Sequence, residues 1–390
     1  MTGLPPQLRV SIVAGLAAGG TVRHVAALAE GCRNAGVAVT VLAPAVTLRL
    51  LRTSATEVPL AIGDRPRPLR DVRSLARLRT WVLAWRPSVV HAHGVRAGAL
   101  AAVAVGLTRR SARPALVITV HNAPPQGLAA SVVHAALERT CARRADLVLC
   151  ASADLAARLR ARGAAAVEQV DVVAPTGPAP TAAEVAAARA ELTEAGRPVV
   201  LAVGRLATQK GLDVLVAAAA RWRHRDPRPV TVIVGAGSLA RQLRAQAARE
   251  AARDAGRDAD READGDVRLL GPRDDVPALL AAADVVVVPS RWEARALIVQ
   301  EAMLAGRPIV ATRVGGIPGL TGEDGAVLVS PGDPVELAAA VAAVLDDPAK
   351  AALLGQAALA RAATFPSPED ELAAMLSRYA RLAASRSAAC

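Results

Sequence analysis

Short runs of β-branched and other apolar residues recur along the chain, and each is followed by a segment rich in Ala, Leu and Arg. Apolar runs of about four to eight residues that alternate with helical segments are typical of parallel strands buried on both faces. The pattern therefore predicts an α/β protein with strands at Val10–Val13, Val37–Leu42, Ser88–His91, Ala115–Val120, Leu147–Cys150, Val170–Val173, Val199–Val203, Val230–Val234, Val267–Leu270, Val285–Val288, Ile309–Thr312 and Ala326–Val329.

A Pro-rich stretch over residues 174–180 divides these runs into two series. Two series of alternating strands and helices predict two doubly wound, Rossmann-like domains, which we place at residues 1–176 and 177–366. Residues 367–390 form a predicted final helix and tail. Because doubly wound sheets bind ligands at the carboxyl ends of their strands, we expect the ligand site in a cleft that both domains face.

Composition and charge narrow the classes of partner. Aromatic residues are only 2 % of the chain, whereas binding of single-stranded nucleic acid by base stacking needs several aromatic platforms, so no nucleic acid is expected. The four cysteines are far apart in the sequence and predict neither a zinc site nor a disulfide framework. The net charge is +12, and residues 1–175 carry 22 basic and 9 acidic residues. This excess indicates either an anionic partner for the first domain or solvated, Arg-rich helix faces.

Residues 285–316 contain the clearest candidate site. A strand leads into a loop with Glu293, and a helix is expected to begin near Leu297 and to contain Glu301. Free N–H groups at the helix N-terminus, on Leu297 and Ile298, can hold a diphosphate. Glu301 then lies about one turn, ~5.4 Å, further along, where it can accept hydrogen bonds from ribose hydroxyls. Glu293 lies on the sugar side of the phosphates. The alternative is that both glutamates are ordinary surface residues.

A second candidate segment, Leu201–Gly211, places cations at a strand end. It contains Gly204 in a predicted turn, followed by Arg205 and Lys210. A guanidinium and an ammonium a few residues apart can neutralise a departing diphosphate without a metal ion. Lysine is rare in this Arg-rich chain, which favours a functional role for Lys210.

The first domain offers weaker signals at its strand ends. Paired glycines, Gly19 and Gly20, open a helix and allow close approach of a phosphate or a sugar. His121 follows a predicted strand at the edge where ligands bind, so we favour a site role for it. His91 lies nearer the strand body and is interpreted as structural.

One motif favours a different enzyme class. Val232–Ala240 reads as a strand followed by G-x-G-x-x-A, which is typical of dinucleotide binding. It follows the second strand of its domain, and the acidic residues about 20 positions later do not lie on the next strand. A dehydrogenase is therefore kept as a lesser alternative.

Taken together, the segments resemble the retaining GT-B glycosyltransferases of family 4, also called glycosyl transferases group 1. The agreement is in order from Val10 to Pro348. It runs through the Gly19-Gly20 turn, VVHAHG, TVHN, VGRLATQKG, VGAGSL, VRLLG, PSRWE…EAMLAGRPIVATRVGGIPG and VSPGDPVELAAAV. The resemblance implies two Rossmann-like domains that face each other across a cleft, with the C-terminal helix crossing back to the N-terminal domain.

The resemblance also implies roles for individual residues. The diphosphate of a nucleotide-sugar would be held by Arg205 and Lys210 beside Gly204, its ribose by Glu301, and its base would lie near Gly271. The donor sugar would contact Glu293, the amides of Leu297 and Ile298, and His121, while Gly19 and Gly20 would lie beside the phosphates. Catalytic roles are expected for His121, Arg205, Lys210 and Glu293. The chain departs from the family pattern at Arg295, Ala296 and Gly319.

The implied reaction is transfer of a hexosyl group from a UDP- or GDP-sugar to an acceptor hydroxyl with retention of anomeric configuration. No cofactor and no divalent metal are expected. Three alternatives remain: a GT-B-fold epimerase, a phosphorylase that uses the same phosphate site, and a non-catalytic subunit that binds a nucleotide-sugar.

The acceptor is expected to be a glycan, a glycolipid or a lipid carrier bound by the first domain. Residues 65–86 carry seven arginines interleaved with Leu, Val and two tryptophans. A basic amphipathic helix of this kind suits an anionic membrane surface, which predicts a cytoplasmic protein at the inner face of the cell membrane. The alternative is a core-packing helix with a solvated Arg face.

Overall fold

The computed structural model describes residues 8–17, 19–121, 127–170, 173–174, 178–193, 196–255 and 266–388. Contacts divide the chain into two compact units. The first unit comprises residues 1–175 with residues 366–390, and the second comprises residues 176–365. The domain boundary predicted at residues 176 and 177 lies outside the described residues.

The first unit is a parallel sheet of seven strands in the order β3-β2-β1-β4-β5-β6-β7. Its strands are β1 Arg9–Ala14, β2 Ala38–Ala43, β3 Thr56–Pro59, β4 Val89–His93, β5 Ala115–Val120, β6 Leu147–Cys150 and β7 Val167–Gln169. The α-helices between them are α1 Gly20–Asn34, α2 Ala45–Leu51, α3 Pro68–Trp85, α4 Val95–Gly106, α5 Leu128–Arg144 and α6 Ala153–Ala161.

The second unit repeats this architecture with six parallel strands in the order β10-β9-β8-β11-β12-β13. The strands are β8 Val199–Val203, β9 Val230–Val234, β10 Val267–Gly271, β11 Val285–Val288, β12 Ile309–Thr312 and β13 Val327–Val329. The α-helices are α7 Ala182–Leu192, α8 Leu212–Ala219, α9 Ala240–Ala255, α10 Val276–Ala282, α11 Leu297–Leu304, α12 Ile317–Thr321, α13 Pro334–Leu345 and α14 Pro348–Ala362. The predicted fold class, two doubly wound α/β units, is confirmed.

The final helix, α15 Pro368–Ala388, packs on the first unit, as predicted. Tyr379 is fully buried in the core of that unit, and its phenolic oxygen lies 2.6 Å from Nδ1 of His91 on β4. Arg378 forms an ion pair with Glu168 on β7, 2.6 Å between Nε and Oε2. The chain therefore returns from the second unit to complete the first.

The sequence analysis missed both edge strands of the first sheet. β3 was not predicted, and the last strand of the sheet is Val167–Gln169 instead of Val170–Val173, of which residues 171 and 172 are outside the described part. Both observed strands are largely exposed or half-buried. An edge strand needs no continuous apolar run, because one side faces solvent, so the pattern used for central strands does not detect it.

The Arg-rich segment at 65–86 forms α3, which has a packed face and a solvated face. Ser74, Leu78 and Val82 are buried, and Nε1 of Trp81 donates a hydrogen bond of 3.1 Å to Oγ of Ser11. The packing interpretation is thus correct for the inner face. The arginines of this segment are all exposed: Arg65, Arg67, Arg70, Arg73, Arg77, Arg79 and Arg86. No helix in the described residues is long and apolar enough to cross a bilayer.

Candidate active site

Two loops of the second unit bring together the charged residues that the sequence analysis selected. Lys210 follows β8 and Glu293 follows β11, and these two strands are neighbours in the sheet. The Nζ atom of Lys210 lies 2.5 Å from Oε1 of Glu293. The same carboxylate oxygen accepts a hydrogen bond of 2.7 Å from Oγ of Ser290. Ser290 and Glu293 are buried, so the ion pair is held in a largely dehydrated place.

Glycines make this close approach of loops possible. A Cβ atom on Gly211, where φ is +61°, would lie 1.9 Å from the carbonyl oxygen of Pro289. A Cβ atom on Gly315, where φ is +50°, would lie 1.8 Å from the carbonyl oxygen of Glu293. Both positions combine a left-handed backbone with direct backbone contact, which only glycine tolerates. The Glu293 carbonyl also accepts a hydrogen bond of 2.9 Å from the N–H of Gly316.

A small pocket lies at this edge of the sheet, and its lining includes Gly204, Lys210, Ser290 and Ile298. Ile298 is in the first turn of α11, which begins at Leu297 as predicted. The first N–H groups of a helix lack intrahelical acceptors, and here the N-cap residue Ala296 makes no side-chain hydrogen bond to them, so they are suited to binding an anion. Glu301 is half-buried about one turn further along the helix. The pocket thus places a cation beside a helix N-terminus, and two of its lining residues, Lys210 and Ser290, contact the carboxylate of Glu293, which lies outside the lining.

Arg205 does not line this pocket. It lies two residues beyond β8 with an exposed side chain, and it forms no ion pair with any residue that the structure describes. Arg205 therefore remains a predicted phosphate ligand, near the pocket along the chain but without a structural contact to it.

The glycines of the dinucleotide-like motif have a packing role in this protein. A Cβ atom on Gly235 would lie 1.9 Å from the carbonyl oxygen of Gly204, and one on Gly237 would lie 2.3 Å from that of Leu206. The N–H of Gly235 donates a hydrogen bond of 2.7 Å to the carbonyl of Gly271. These glycines let the loops after β8, β9 and β10 pack together, which accounts for the motif without a dinucleotide.

In the first unit, His121 belongs to a cluster of four histidines. His91 and His93 are two residues apart on β4, so their side chains point to the same face of the sheet. The Nδ1 atom of His93 lies 3.2 Å from Nε2 of His121. His24, one turn after Gly20 on α1, lies with its ring centroid 5.6 Å from that of His93 and 5.7 Å from that of His121.

Burial keeps these histidines uncharged. It lowers the pKa of His24 to about 4 and the pKa of His121 to about 3. The pKa values of His91 and His93 are also lowered, first by burial and then by the neighbouring histidines. The described residues, these histidines included, contain no group of three or more His, Cys, Asp or Glu side chains arranged to hold a metal ion.

Sequence reasoning missed His24 and His93 as members of this cluster. Two spacings in the sequence could have indicated them. His91 and His93 are at i and i+2 on a predicted strand, and Gly20 and His24 are at i and i+4 on a helix. His91 is structural, as interpreted, because its Nε2 atom also lies 2.6 Å from Oγ1 of Thr119.

The three departures from the family pattern have the following surroundings. The Arg295 guanidinium stacks on Phe365, with Cζ 5.2 Å from the ring centroid. The carbonyl oxygen of Gly319 accepts a hydrogen bond of 3.1 Å from Nη2 of Arg361. Ala296 is the N-cap residue of α11 and is buried.

Comparison with known proteins identifies the family. A family model described as Glycosyltransferase Family 4 matches residues 18–176, and one described as Glycosyl transferases group 1 matches residues 197–347. The chain belongs to the family 4, group 1 glycosyltransferases. The two matches fall on the first and the second unit, respectively. The family that the sequence motifs resemble is therefore confirmed.

Two relatives indicate the range of this glycosyltransferase family. The chain is 40 % identical over 168 residues to D-inositol 3-phosphate glycosyltransferase of Corynebacterium diphtheriae, which is 42 % of this chain and 38 % of the relative. It is 32 % identical over 288 residues to glycogen synthase of Mycobacterium tuberculosis, which is 71 % of this chain and 64 % of that enzyme. The chain thus matches less than two thirds of the length of either relative.

A solved structure supports the fold. The crystal structure of Anabaena HepE in complex with UDP-glucose matches with a TM-score of 0.76 at 21 % identity, covering 97 % of this chain and 100 % of that one. This structural similarity establishes that the glycosyltransferase chain has the GT-B fold.

Proposed function

We propose that the protein transfers a hexosyl group from a nucleotide-diphosphate sugar to an acceptor hydroxyl. The observation that carries this proposal is the largely buried contact of Glu293 with Lys210, which lines a pocket beside the first turn of α11. A cation and helix N–H groups are what a diphosphate requires, and a nearby carboxylate can accept hydrogen bonds from sugar hydroxyls.

The proposal assigns one role to each residue that the sequence analysis selected. Lys210 and Arg205 bind the diphosphate, Glu301 accepts hydrogen bonds from the ribose, and Glu293 orients the donor sugar. The base lies near Gly271. His121 and the Gly19-Gly20 turn keep the roles that the family resemblance implies, beside the sugar and the phosphates.

The proposed reaction retains the anomeric configuration and uses no divalent metal. The bond from the anomeric carbon to the phosphate oxygen breaks while the acceptor oxygen bonds to the same face of that carbon. The departing phosphate oxygen takes the acceptor proton, so no separate base is required. Lys210 stabilises the negative charge that develops on the leaving group, a role for which a fixed cation in a dehydrated site is effective.

UDP-glucose is the first donor to test, since Anabaena HepE was solved with it. The relatives named above act on an inositol phosphate and on glycogen. The positive first unit favours an anionic acceptor, such as a phosphorylated glycan or a lipid-linked one.

We also propose that α3 brings the first unit to an anionic membrane surface on the cytoplasmic side. Leu69 is 81 % exposed and Val72 is 64 % exposed, and both are surrounded by the exposed arginines of residues 65–86. Exposed apolar side chains among arginines suit the interface of an acidic bilayer.

The decisive experiment measures release of the nucleoside diphosphate and formation of glycoside on a panel of UDP-, GDP- and ADP-sugars, with and without a chelator. Lys210→Ala, Arg205→Ala and Glu301→Ala should each lose most transfer while remaining folded. Lys350→Ala is the matched control, because Lys350 is the other lysine of the chain and is exposed on α14.

Full activity in all three site variants would reject the proposed site. Binding of a nucleotide-sugar without turnover would instead identify a non-catalytic subunit, and isomerised donor without transfer would identify an epimerase.

A further inference from the structure

A bidentate ion pair joins the two loops that carry Lys210 and Glu293. The guanidinium of Arg291 donates from Nη1 to Oδ1 of Asp213 and from Nη2 to Oδ2, each at 2.7 Å. Its Nη1 atom also donates to the carbonyl of Thr208 at 2.9 Å. Parallel N–H···O bonds of this kind fix orientation as well as distance. Arg291 therefore ties the loop after β11 to the loop after β8, through Thr208, and to the start of α8, through Asp213.

Gln209 reinforces this connection from the opposite direction. Its Nε2 atom donates a hydrogen bond of 2.9 Å to the carbonyl of Trp292. Its own carbonyl accepts a hydrogen bond of 2.7 Å from the N–H of Arg291. Residues 208–213 and 289–293 thus form one hydrogen-bonded assembly, and the contact of Lys210 with Glu293 lies within it.

The ion pair is anchored to regular structure. Asp213 lies in the first turn of α8, and Arg291 follows β11 by three residues. Hydrogen bonds from the Arg291 guanidinium lower the pKa of Asp213 below its ordinary value. A helix and a central strand are stiff supports, so a bond between them limits how far the intervening loops can shift.

We propose that Arg291 and Asp213 are positioning residues that hold Lys210 in register with Glu293 for the donor diphosphate and sugar. The inference rests on the proposed function, because it assigns the two loops to one donor site. The Arg291 guanidinium is engaged by Asp213 and by the carbonyl of Thr208, so the proposed role of the pair is to act through Lys210 and Glu293.

The Arg291–Asp213 pair is partly exposed, and this allows a positioning role to be distinguished by experiment from a structural role. The side chains of Arg291 and Asp213 are 33 % and 32 % exposed. Surface ion pairs typically contribute about 0.2–1 kcal/mol to folding, and bidentate pairs such as this one are the exceptions with a measurable contribution. A loss of activity much larger than the loss of stability accounts for is therefore the expected sign of positioning.

The test uses the full chain with Arg291→Ala, Asp213→Ala and the double variant. We expect a drop in kcat/KM of about tenfold to a hundredfold, mainly in kcat, because small misplacement of reacting groups is costly. The melting temperature should stay close to that of the wild type. The double variant should be no worse than Arg291→Ala, since that substitution already removes the link to Asp213. Hydrogen exchange at residues 208–213 should become faster in every variant.

The matched control is another bidentate ion pair of the same unit, Arg225 with Asp346, neither of which lines the pocket. Arg225→Ala and Asp346→Ala should change neither kcat/KM nor exchange at residues 208–213. Charge reversal at both positions, Arg291→Glu with Asp213→Arg, should recover part of the lost kcat.

The proposal is overturned if Arg291→Ala keeps wild-type kcat/KM and wild-type exchange at residues 208–213, or if activity falls only in proportion to melting temperature. Lys210→Ala, measured in parallel, distinguishes this failure from failure of the proposed function. Loss of transfer in Lys210→Ala with full activity in Arg291→Ala rejects the positioning role alone. Full activity in Lys210→Ala and Glu301→Ala rejects the proposed function.

Discussion

The Nζ atom of Lys210 lies 2.5 Å from Oε1 of Glu293, although 83 positions separate the two residues in the sequence. Each side chain is largely removed from water, so each supplies the counter-charge that the other needs. A donor diphosphate that binds Lys210 must therefore compete with Glu293. When the phosphates bind Lys210, the Glu293 carboxylate is released. Glu293 is the residue that is proposed to orient the sugar.

Glu293→Gln should separate these two roles. Without the carboxylate, Lys210 is free for the phosphates, and we expect UDP to bind more tightly by roughly tenfold, equal to about 1.4 kcal/mol. Transfer of the sugar should fall sharply, since Glu293 is the proposed sugar ligand. Isothermal titration with UDP and a transfer assay measure the two effects, and weaker UDP binding in this variant would contradict the competition.

Gly315→Ala should disrupt the loop of Glu293. The added Cβ atom would meet the Glu293 carbonyl oxygen at 1.8 Å in a left-handed backbone, so we expect a loss of roughly 1–3 kcal/mol in folding free energy and reduced transfer. Gly319→Ala is the control, because its Cβ atom has no neighbour within 4 Å and the residue lies in α12. Melting curves and transfer rates should differ only for Gly315→Ala; equal behaviour of the two variants would refute the packing argument.

Glu301→Gln should weaken recognition of the ribose. Hydrogen bonds to a charged acceptor contribute about 1.5–3 kcal/mol, so the KM for the donor should rise roughly tenfold to a hundredfold. The difference between wild type and variant should shrink for a donor with 2′-deoxyribose, which lacks one of the proposed hydroxyl partners. Glu323→Gln, at an exposed position of the same unit, is the control. An unchanged KM in Glu301→Gln would place the ribose elsewhere.

The histidine cluster should make the first unit sensitive to acid. The pKa values of His24 and His121 are about 4 and about 3 in the folded protein, against 6.5 for the free side chain. Below pH 6.5 the unfolded chain binds protons that the folded chain does not, so stability falls as pH decreases towards 4. The expected slope is about 1.4 kcal/mol per pH unit for each histidine.

Hydrogen exchange of β4 and β5, corrected for the intrinsic effect of pH, measures this loss. Strands β8 and β11 of the second unit are the internal control, since no clustered histidine lies in that unit among the described residues. A variant His24→Gln should show a smaller slope. Equal pH dependence in β4 and in β8 would show that the cluster is not responsible.

Removal of arginines from α3 should weaken binding to acidic vesicles. Each arginine near an anionic surface contributes about 1 kcal/mol, so replacing Arg70, Arg73 and Arg77 by Gln should lower vesicle affinity roughly a hundredfold. Sedimentation with phosphatidylglycerol vesicles at low salt measures this, and Arg241→Gln with Arg244→Gln on exposed positions of α9 is the control. No preference of the wild type for acidic over neutral lipid would dismiss the membrane proposal.

The central strands could be predicted because strands buried on both faces consist of continuous apolar residues, which are visible in the sequence. Ala115–Val120, Val230–Val234 and Val285–Val288 were each located to the residue. The start of α11 at Leu297 was also predicted, since a strand, a loop and an apolar helical segment follow one another there. The edge strands Thr56–Pro59 and Val167–Gln169 were missed, because exposed strands leave no such pattern.

The candidate site was predicted only as a set of residues. Chain order placed Lys210 and Glu293 after two strands, but it gave no sign that Ser290 donates to Glu293 or that Arg291 pairs with Asp213. Arg291 looked like one more arginine of an Arg-rich chain, and His24 like an ordinary helical residue. Such contacts depend on side-chain directions in neighbouring loops, which local patterns do not encode.

The amino-acid sequence alone determined the layered α/β architecture, its division into two sheets and the family, because periodic burial and ordered motifs are local properties of the chain. The tertiary structure alone decided which polar groups meet. Neighbouring strands β8 and β11 place two loops side by side, and glycines at 211 and 315 let the backbones approach closely enough for an ammonium and a carboxylate to share one buried contact.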